Sequence, residues 1–551
     1  MVKYDMLETA EKPLILPKGF TLPAIALPAV LPTDVVALTA LLYAQQQAHD
    51  ASQAKALDYI NYLFEQFLLA RRRQFGSSSE QLSAQGRLFD EAEVLAEATT
   101  EAQDIAPLPP EPAQEQGQNQ SASKPTRGKR GPLPTDLKRV DIIHDVPESQ
   151  RTCPCGTPMA EIGQDVSEQL DIVPMQIRVL RHIRKRYGCP GSIHAPVTAA
   201  LPPQPLPKSN ASANFLAMLL TVKFVDGLPL TRFGKVLGRH GVPVPDQTLA
   251  RWVIGSSQVL QPLHNLMRDT LLDGTLIHID ETVVQVLKEK DKRPTSNSYM
   301  WVQTGGPPGK PVVVFDYDPS RSGEVPVRLL HDYRGYLMTD GYDGYNKLAR
   351  TDGIERLVCW AHVRRRFVEA VKVQPKGKRG RADEAVAMVG KLYRIERDHK
   401  DAVDEDRLLA RQQLSVPALA QLHAWMEKTL PVVAPKSALG TALSYMRDYW
   451  SMLTRYTERG DLPIDNNRCE NAIRPFVVGR KAWLFSDTPA GAHASAVIYS
   501  LVETVKANGL EPYTWLRRVL RDLPAAKTVE EMEALWPWNV HAMDLTSEMA
   551  G

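Results

Sequence analysis

The chain has 551 residues, of which 43% are hydrophobic and 24% charged, as expected for a globular protein with room for several domains. Its formal net charge is only +2, so overall charge does not predict a polyanionic partner. A nucleic-acid surface would have to come from local clusters. Five cysteines argue against a disulfide framework and fit a reducing compartment. No secretion signal and no long apolar run is present, so we expect a cytoplasmic protein without a membrane span.

The first regular pattern is helical and covers residues 33 to 75, within an N-terminal helical, coiled-coil-like region that we place at 30–91. Thr33 or Asp34 is suited to cap its start. Apolar side chains recur at helical spacing, but the polar stretch QQQAHDASQAK interrupts them. Two interpretations stay open: a helix packed on its own domain, and a coiled coil that joins two copies.

Residues 92–139 have the composition of a flexible linker. They are rich in Pro, Gln, Ala and Glu, and cannot bury enough apolar surface to offset the entropy of ordering. The linker ends in the basic run KPTRGKRGP. This run is either a solvated tail or a contact with the backbone or minor groove of DNA.

Residues 206–268 resemble a helix-turn-helix DNA-binding region. The run TRFGKVLGRHG predicts a helix ended by Gly241, VPVP a turn, and DQTLARWVIGS a second helix capped by Asp246. Gln247, Thr248 and Arg251 fall in the N-terminal half of the second helix, where a recognition helix meets base edges. The alternative is a helix pair that serves only packing.

Three acidic residues are the strongest chemical signal. Asp280 and Asp340 end the strand-like runs TLIHID and GYLMTD, and Glu470 lies near the start of a predicted helix. Asp465 and Asn466 are suitable caps for that helix. Convergent carboxylates can hold two divalent cations about 3.5–4 Å apart, an arrangement that cuts and joins phosphodiester bonds.

Two neighbouring acids are weaker candidates. Glu281 follows Asp280 directly, so the alternation of side chains along a strand is expected to point it away. Asp343 lies in a Gly-rich segment and is expected to serve a turn.

Basic side chains accompany these motifs. Arg364, Arg365 and Arg366 lie on a helix predicted from RLVCWAHVRRRF, either facing phosphates or forming a solvated face. Arg474 shares a helix face with Glu470, and Pro475 is expected to limit that helix. A basic Gly-Arg-Lys turn is expected to follow. The candidate phosphate contacts are Arg364, Arg365, Arg474, Arg480 and Lys481.

The motifs HIDETVVQVL, SYMWVQ, DYDPSRSGE, GYLMTDGYDGYN, CWAHVRRRF and ENAIRPFVVGRKAWLFSDTPAGA resemble the transposase family of insertion sequence 66, from about residue 30 to the C-terminus. The resemblance implies an α/β fold with a ribonuclease-H-like catalytic core at 269–493. It implies a helical insertion at about 368–460 and a helical tail at 494–551. On the matching positions it implies that Asp280, Asp340 and Glu470 form an Asp-Asp-Glu triad.

The resemblance also implies the chemistry. Two Mg²⁺ ions would activate water or a DNA 3′-hydroxyl and stabilise the leaving oxygen during DNA cleavage and strand transfer. No protein nucleophile is required, so we expect Cys359 and Cys469 to be buried packing residues. The implied partners are double-stranded DNA with terminal inverted repeats, target DNA, further copies of the chain and co-encoded accessory proteins. The implied location is the nucleoid of a bacterial cytoplasm.

A small zinc-ribbon-like domain is expected at residues 140–205. Cys153, Cys155 and Cys189 resemble the zinc ligands of the family, although the first pair is C-x-C and one cysteine stands at the far end. His194 would complete a set of four ligands. The alternative is a degenerate site that no longer holds zinc.

Two other functions remain open from the sequence. One is a catalytically inactive DNA-binding regulator derived from a transposase, against which the presence of all three carboxylates counts. The other is a metal-dependent nuclease that cleaves without joining.

Overall fold

The computed structural model describes residues 34–75, 177–183, 185–187, 197–198, 200, 202–348, 351–374 and 379–540. The chain forms two compact units, one of residues 103–200 and the other of residues 1–102 with 201–551. The described part of the smaller unit contains β1 (Arg186–Tyr187) paired antiparallel with β2 (Val197–Thr198). The linker 92–139 lies outside the described residues, as do the candidate zinc ligands Cys153, Cys155, Cys189 and His194.

The N-terminal helix is confirmed as α1 (Val35–Phe75). Asp34 caps its start, because its Oδ2 accepts the backbone N–H of Ala37 at 3.2 Å. Several large apolar side chains on this helix stay exposed in the single chain, by 59% to 69%. They are Leu42, Tyr43, Ile60, Phe64 and Phe67.

A five-stranded sheet lies at the centre of the larger unit. Its strands are β3 (Leu276–Gln285), β4 (Asn297–Gly305), β5 (Val312–Asp318), β6 (Gly335–Thr339) and β7 (Ile354–Val358). They lie in the order β5-β4-β3-β6-β7. The β3–β4 and β4–β5 pairs are antiparallel, whereas β3–β6 and β6–β7 are parallel. Ile277 and Ile279 are fully buried, as predicted for a central strand.

The segment directly before the sheet forms α2 (Ala213–Phe224), α3 (Leu230–Arg239) and α4 (Asp246–Leu272). As predicted, the first helix of the pair ends just before Gly241, which has a φ of 78°. The capping role of Asp246 is wrong. Pro245 occupies the N-cap position without a side-chain hydrogen bond, because a proline with fixed φ suits the start of a helix. The second helix is also longer than predicted, since Leu260, Leu263 and other buried residues extend its packed face to Leu271.

Helices fill the region between β7 and the segment that carries Glu470. They are α6 (Trp360–Lys372), α7 (Arg381–Asp398), α8 (Asp404–Ala410), α9 (Val416–Thr429), α10 (Ala438–Asp448) and α11 (Trp450–Thr454). A short α5 (Glu324–Leu329) lies earlier, between β5 and β6. Buried Trp360, Phe367, Leu422 and Met446 share one core. The residues described between 359 and 466 contain no strand.

The C-terminal part contains α12 (Asn467–Trp483), α13 (Pro489–Ala507), α14 (Pro512–Asp522) and α15 (Val529–Glu533). Helix α13 protects the edge strand β5. The N–H of Phe315 donates to Ser500 Oγ at 2.7 Å, and the N–H of Val313 donates to Thr504 Oγ1 at 2.9 Å. None of the described helices has the length and apolar character that crossing a membrane requires.

Two predictions about α12 are wrong. The helix continues through Pro475 to Trp483, so Pro475 does not limit it. Buried Ile473 and Phe476 flank the proline, and such tertiary packing stabilises a helix against a local break. The expected Gly-Arg-Lys turn is also absent, because residues 479–481 lie in the last part of the same helix.

Candidate active site

The first carboxylate lies inside a strand rather than at its end. Strand β3 continues to Gln285 because it pairs with β4 over eight successive residues, from His278 to Gln285. The parallel register of β3 and β6 aligns His278 with Met338. Continued by two residues, this register brings Asp280 opposite Asp340, which directly follows β6.

Asn466 holds the third carboxylate near the first two. It occupies the N-cap position of α12, but its side chain bonds to β3 rather than to the helix. His278 Nδ1 donates to Asn466 Oδ1 at 3.0 Å, and Asn466 Nδ2 donates to the carbonyl of Ile279 at 3.2 Å. The backbone N–H of Asn466 donates to Cys359 Sγ at 3.2 Å. These bonds fix the start of α12 beside Asp280, with Glu470 one turn further along.

Replacing Asn466 with alanine is expected to lower the free energy of unfolding by about 2–3 kcal/mol. The change leaves buried His278 Nδ1 and the Ile279 carbonyl without their partner. Urea denaturation of the two proteins in EDTA measures the difference. Asn467→Ala is the control, since the Asn467 side chain bonds to Asp465, two residues earlier, rather than to β3. Equal midpoints for Asn466→Ala and wild type would contradict the role of Asn466.

The three predicted carboxylates influence one another electrostatically. Burial is the main cause that raises the pKa of Asp280 well above its usual range, and the charges of Glu281, Asp340 and Glu470 raise it further. Burial also raises the pKa of Glu470, with Asp340 adding to the effect and His362 and Arg365 opposing it. The structure therefore places the buried Asp280 and Glu470 close to the partly buried Asp340.

The polar atoms of this site fit a divalent metal ion. Within the described part of the chain, Asp280 Oδ2, Glu470 Oε1 and His362 Nδ1 are buried and have no hydrogen-bond partner. Buried carboxylate oxygens without partners are costly unless a cation compensates their charge. Asp280 and Glu470 are only 7% and 5% exposed, so water does not provide that compensation freely.

The neighbouring Glu281 has different partners from Asp280, as strand alternation predicts. It accepts hydrogen bonds from Arg321 Nε at 2.7 Å and from the Tyr345 hydroxyl. Burial raises the pKa of Glu281 to about 7, with the charge of Asp340 as the next cause and Arg321 opposing both. The interaction of Glu281 with Asp340 does not follow from the local sequence pattern, because the residues that surround Glu281 come from distant segments.

These raised pKa values predict a stability that depends on pH and metal. A carboxyl whose pKa rises from 4.5 to about 7 on folding binds more protons in the folded state. The free energy of unfolding therefore falls as pH rises from about 4.5 to 7 in metal-free protein. Thermal melting in EDTA should show this decline, and divalent ions should raise the Tm more at pH 7.5 than at pH 5. Glu281→Gln should flatten the decline, and a Tm without pH dependence in this range would contradict the expectation.

The candidate phosphate contacts differ in their surroundings. Arg365 acts on Glu470, lowering its pKa, so it belongs to the site. The Arg366 guanidinium instead lies 4.1 Å from the ring centre of Tyr445. Arg480 donates to the carbonyl of Val283, and burial lowers its pKa to about 10. The remaining candidates are the partly buried Arg364 and Arg474 and the exposed Lys481.

The candidate base contacts lie in the first turns of α4. Gln247 and Arg251 are exposed, and Thr248 is partly buried. Arg251 Nη2 donates to Thr248 Oγ1 at 3.2 Å. Leu249 and Val253 on the same helix are buried, so one face packs and the other is open. This arrangement is compatible with both a recognition helix and a packing unit.

The two cysteines of the larger unit are buried, as predicted. Cys469 Sγ donates to the carbonyl of Val302 at 3.4 Å. Cys359, however, lies beside the site: its sulfur, a ring nitrogen of His362 and a carboxylate oxygen of Glu470 all lie within 4.8 Å of one another. His362 had no predicted role, although it lies in the motif CWAHVRRRF.

Comparisons with known proteins show the family to which the chain belongs. Residues 208–494 match the family described as "Transposase IS66 family". Residues 150–191 match the zinc-finger binding domain of transposase IS66, residues 500–538 the IS66 C-terminal element, and residues 62–142 a domain described as transposase C of IS166 homeodomain.

Two relatives from Sinorhizobium fredii are similar over most of the chain. Uncharacterized protein y4jD is 32% identical over 421 residues, which are 74% of this chain and 81% of the relative. Uncharacterized protein y4qI is 28% identical over 548 residues, or 93% of this chain and 98% of the relative. On the strength of the family match over more than half of its length, the chain belongs to the IS66 family of transposases.

Proposed function

We propose that the protein binds the terminal inverted repeats of an insertion sequence and catalyses metal-dependent DNA cleavage and strand transfer. Asp280, Asp340 and Glu470 are the proposed catalytic, metal-binding residues. One observation carries the proposal: Asp280, Asp340 and Glu470, remote in the sequence, lie close together, and Asp280 Oδ2 and Glu470 Oε1 are buried without a hydrogen-bond partner among the described residues. Buried carboxylate oxygens without partners destabilise a fold unless a bound cation compensates their charge, so the site is suited to a divalent cation.

The proposal includes a ribonuclease-H-like core. Three antiparallel strands, β5, β4 and β3, are followed across the sheet by the parallel strands β6 and β7. Acids on the central strand, after the neighbouring strand and on a helix packed against the sheet support this assignment. The helices α6 to α11 would then form the insertion between the second and third acids.

The residues of the chain have distinct parts in the proposed reaction. Bound divalent ions, which we propose to be Mg²⁺, would activate the attacking hydroxyl and stabilise the leaving oxygen. Asp280 and Glu470 present oxygens that are positioned before the ions arrive, because Asn466 fixes α12 against β3. Positioning of this kind lowers the reorganisation needed during the reaction. Arg365 lies near Glu470, where its charge can meet a DNA phosphate.

The proposed partners follow from the other regions. Paired DNA ends require more than one copy of the protein, and the exposed apolar side chains of α1 are suited to join two copies. Cys153, Cys155, Cys189 and His194 are the proposed zinc ligands, within the segment that matches the zinc-finger domain apart from His194. Target DNA and co-encoded accessory proteins complete the set of proposed partners.

The test is a cleavage and strand-transfer assay on DNA that carries the ends of the element. We expect the full-length protein with Mg²⁺ to cut these ends and to join a pre-cut 3′-hydroxyl end to target DNA. Cleavage without joining would favour a nuclease. Specific end binding without either reaction would favour the inactive regulator, and an absence of all three activities would reject the proposal.

Arg251→Ala is expected to weaken binding to the element's ends by about 1–3 kcal/mol, the usual value of a contact with a base edge. The exposed guanidinium lies in the second turn of α4 and is available to the major groove. Binding of specific and scrambled DNA by fluorescence anisotropy measures the effect. Lys235→Ala, on the preceding helix, is the control for a general loss of positive charge. Equal losses on both DNAs would contradict base recognition by Arg251.

A further inference from the structure

His362 faces the carboxylate of Glu470 across a gap without a hydrogen bond. Its Nδ1 lies 3.9 Å from Glu470 Oε1, beyond hydrogen-bond distance. Both atoms are buried, and neither has a hydrogen-bond partner among the residues that the structure describes. The His362 side chain is only 15% exposed and that of Glu470 only 5%. The ring nitrogen and the carboxylate oxygen therefore face each other in a site with little access to solvent.

The fold holds the histidine rigidly in this place. His362 lies in the first turn of α6, next to the fully buried Trp360 and Val363. The Trp360 indole N–H donates to the carbonyl of Leu453 at 2.7 Å, and its backbone N–H donates to Ile464 at 3.2 Å. The start of α6 is thereby tied to the segment that leads into α12. His362 and Glu470 therefore come from helices whose first turns are fixed side by side.

A cation explains the gap better than a direct contact does. Nitrogen and oxygen ligands lie about 2.0–2.2 Å from first-row divalent ions, so one ion can contact both atoms across 3.9 Å. Cys359 is also near, but its sulfur already accepts the Asn466 N–H that fixes the start of α12. We therefore assign the sulfur to positioning and the imidazole to the ion.

We propose that His362 Nδ1 is a direct ligand of the divalent ion bound by Glu470, so that this metal position has mixed nitrogen and oxygen donors. The inference rests on the proposed function, because it takes Glu470 to be a metal ligand. A nitrogen donor favours transition-metal ions such as Mn²⁺ over Mg²⁺, which prefers oxygen. The position beside Glu470 should therefore bind Mn²⁺ more tightly than an all-carboxylate position would.

The experiment uses full-length protein stripped with EDTA and loaded with Mn²⁺ alone. Pulsed electron paramagnetic resonance should detect coupling between bound Mn²⁺ and a histidine nitrogen. His362→Gln should remove that coupling and weaken Mn²⁺ binding by about tenfold or more, with a smaller change for Mg²⁺. His423→Gln is the matched control, because His423 packs against the Trp450 ring in the helical insertion and should leave the coupling unchanged.

Labelling with ¹⁵N-histidine tests the wild-type protein without any substitution and covers the case in which His362→Gln does not fold. The label should change the coupling pattern in wild type, and circular dichroism in EDTA shows whether each variant is folded. An absence of nitrogen coupling in Mn²⁺-loaded wild type, or coupling that survives in folded His362→Gln, would overturn the proposal.

Failure of the proposed function gives a different result. Mg²⁺-dependent cleavage of the element's ends by wild type is measured separately from Mn²⁺ coordination. Nitrogen coupling without cleavage would support the ligand and reject the transposase reaction. Cleavage without nitrogen coupling would support the reaction and reject His362 as a ligand.

Discussion

Asp280→Ala is expected to abolish cleavage of the element's ends, with a loss of about a thousandfold or more. Metal-assisted catalysis provides several kilocalories per mole of stabilisation to the transition state, and removal of the central ligand forfeits most of it. Asp340→Ala and Glu470→Ala should have the same effect, since the three carboxylates lie close together in the proposed metal site. Cleavage of labelled end DNA under single-turnover conditions measures the loss.

Two controls separate this loss from unfolding and from weak DNA binding. Asp343→Ala removes an acid only three positions from Asp340. In wild type, Asp343 Oδ1 accepts a hydrogen bond from Asn346 Nδ2 at 3.4 Å within a single helical turn. The Asp343→Ala variant should retain cleavage. Metal-free Asp280→Asn should melt no lower than wild type, because burial and neighbouring charges disfavour the ionised Asp280. Retained cleavage by Asp280→Ala would remove this residue from the proposed mechanism.

The candidate site was predictable where its residues follow from local pattern. Apolar runs that end near Asp280 and Asp340 indicate buried strands, and parallel pairing of such strands places the two acids together. The helix that carries Glu470 follows from the polar residues before it. The packing of this helix on the sheet could not be predicted from local sequence, because it depends on the bonds from Asn466 to His278 and Ile279, nearly two hundred positions earlier.

The errors in the predicted elements share a physical cause. Tertiary packing extended β3 beyond Asp280, carried α12 through Pro475 and lengthened α4 to Leu272. Local rules end an element at a proline or a charged residue, whereas buried contacts with other elements can continue it. His362 also depends on tertiary structure. A single histidine on a basic helix indicates no role until the fold places Glu470 opposite it.

The contact between helix α10 and the segment after Asp340 leads to the other large effect. Gly341 directly follows Asp340, and Tyr445 of α10 packs against it. A Cβ atom at Gly341 would lie 2.3 Å from Tyr445 Cε2 and 2.5 Å from its Oη. The ring has little freedom to move aside, because it is 9% exposed and lies between Arg366 and Tyr449.

Gly341→Ala is therefore expected to displace the turn after Asp340 and to lower cleavage by about a hundredfold, since small misplacements of catalytic groups cost about this much. Overpacking should also lower the free energy of unfolding by about 1–3 kcal/mol. Single-turnover cleavage and urea denaturation measure the two effects. Gly390→Ala, on α7 of the same insertion, is the matched control because its Cβ would meet no atom within 4 Å.

A second substitution shows whether the contact itself is responsible. Tyr445→Leu removes the aromatic atoms that a Cβ at Gly341 would strike, so Gly341→Ala should cost far less activity in a Tyr445→Leu background than in wild type. Equal losses in both backgrounds would mean that the glycine acts through its own backbone. A much smaller loss in the Tyr445→Leu background would mean that the helices between the second and third acids position Asp340 through Tyr445. The helices between the second and third acids would then contribute to catalysis, because a residue remote in sequence from Asp340 determines where its carboxylate lies.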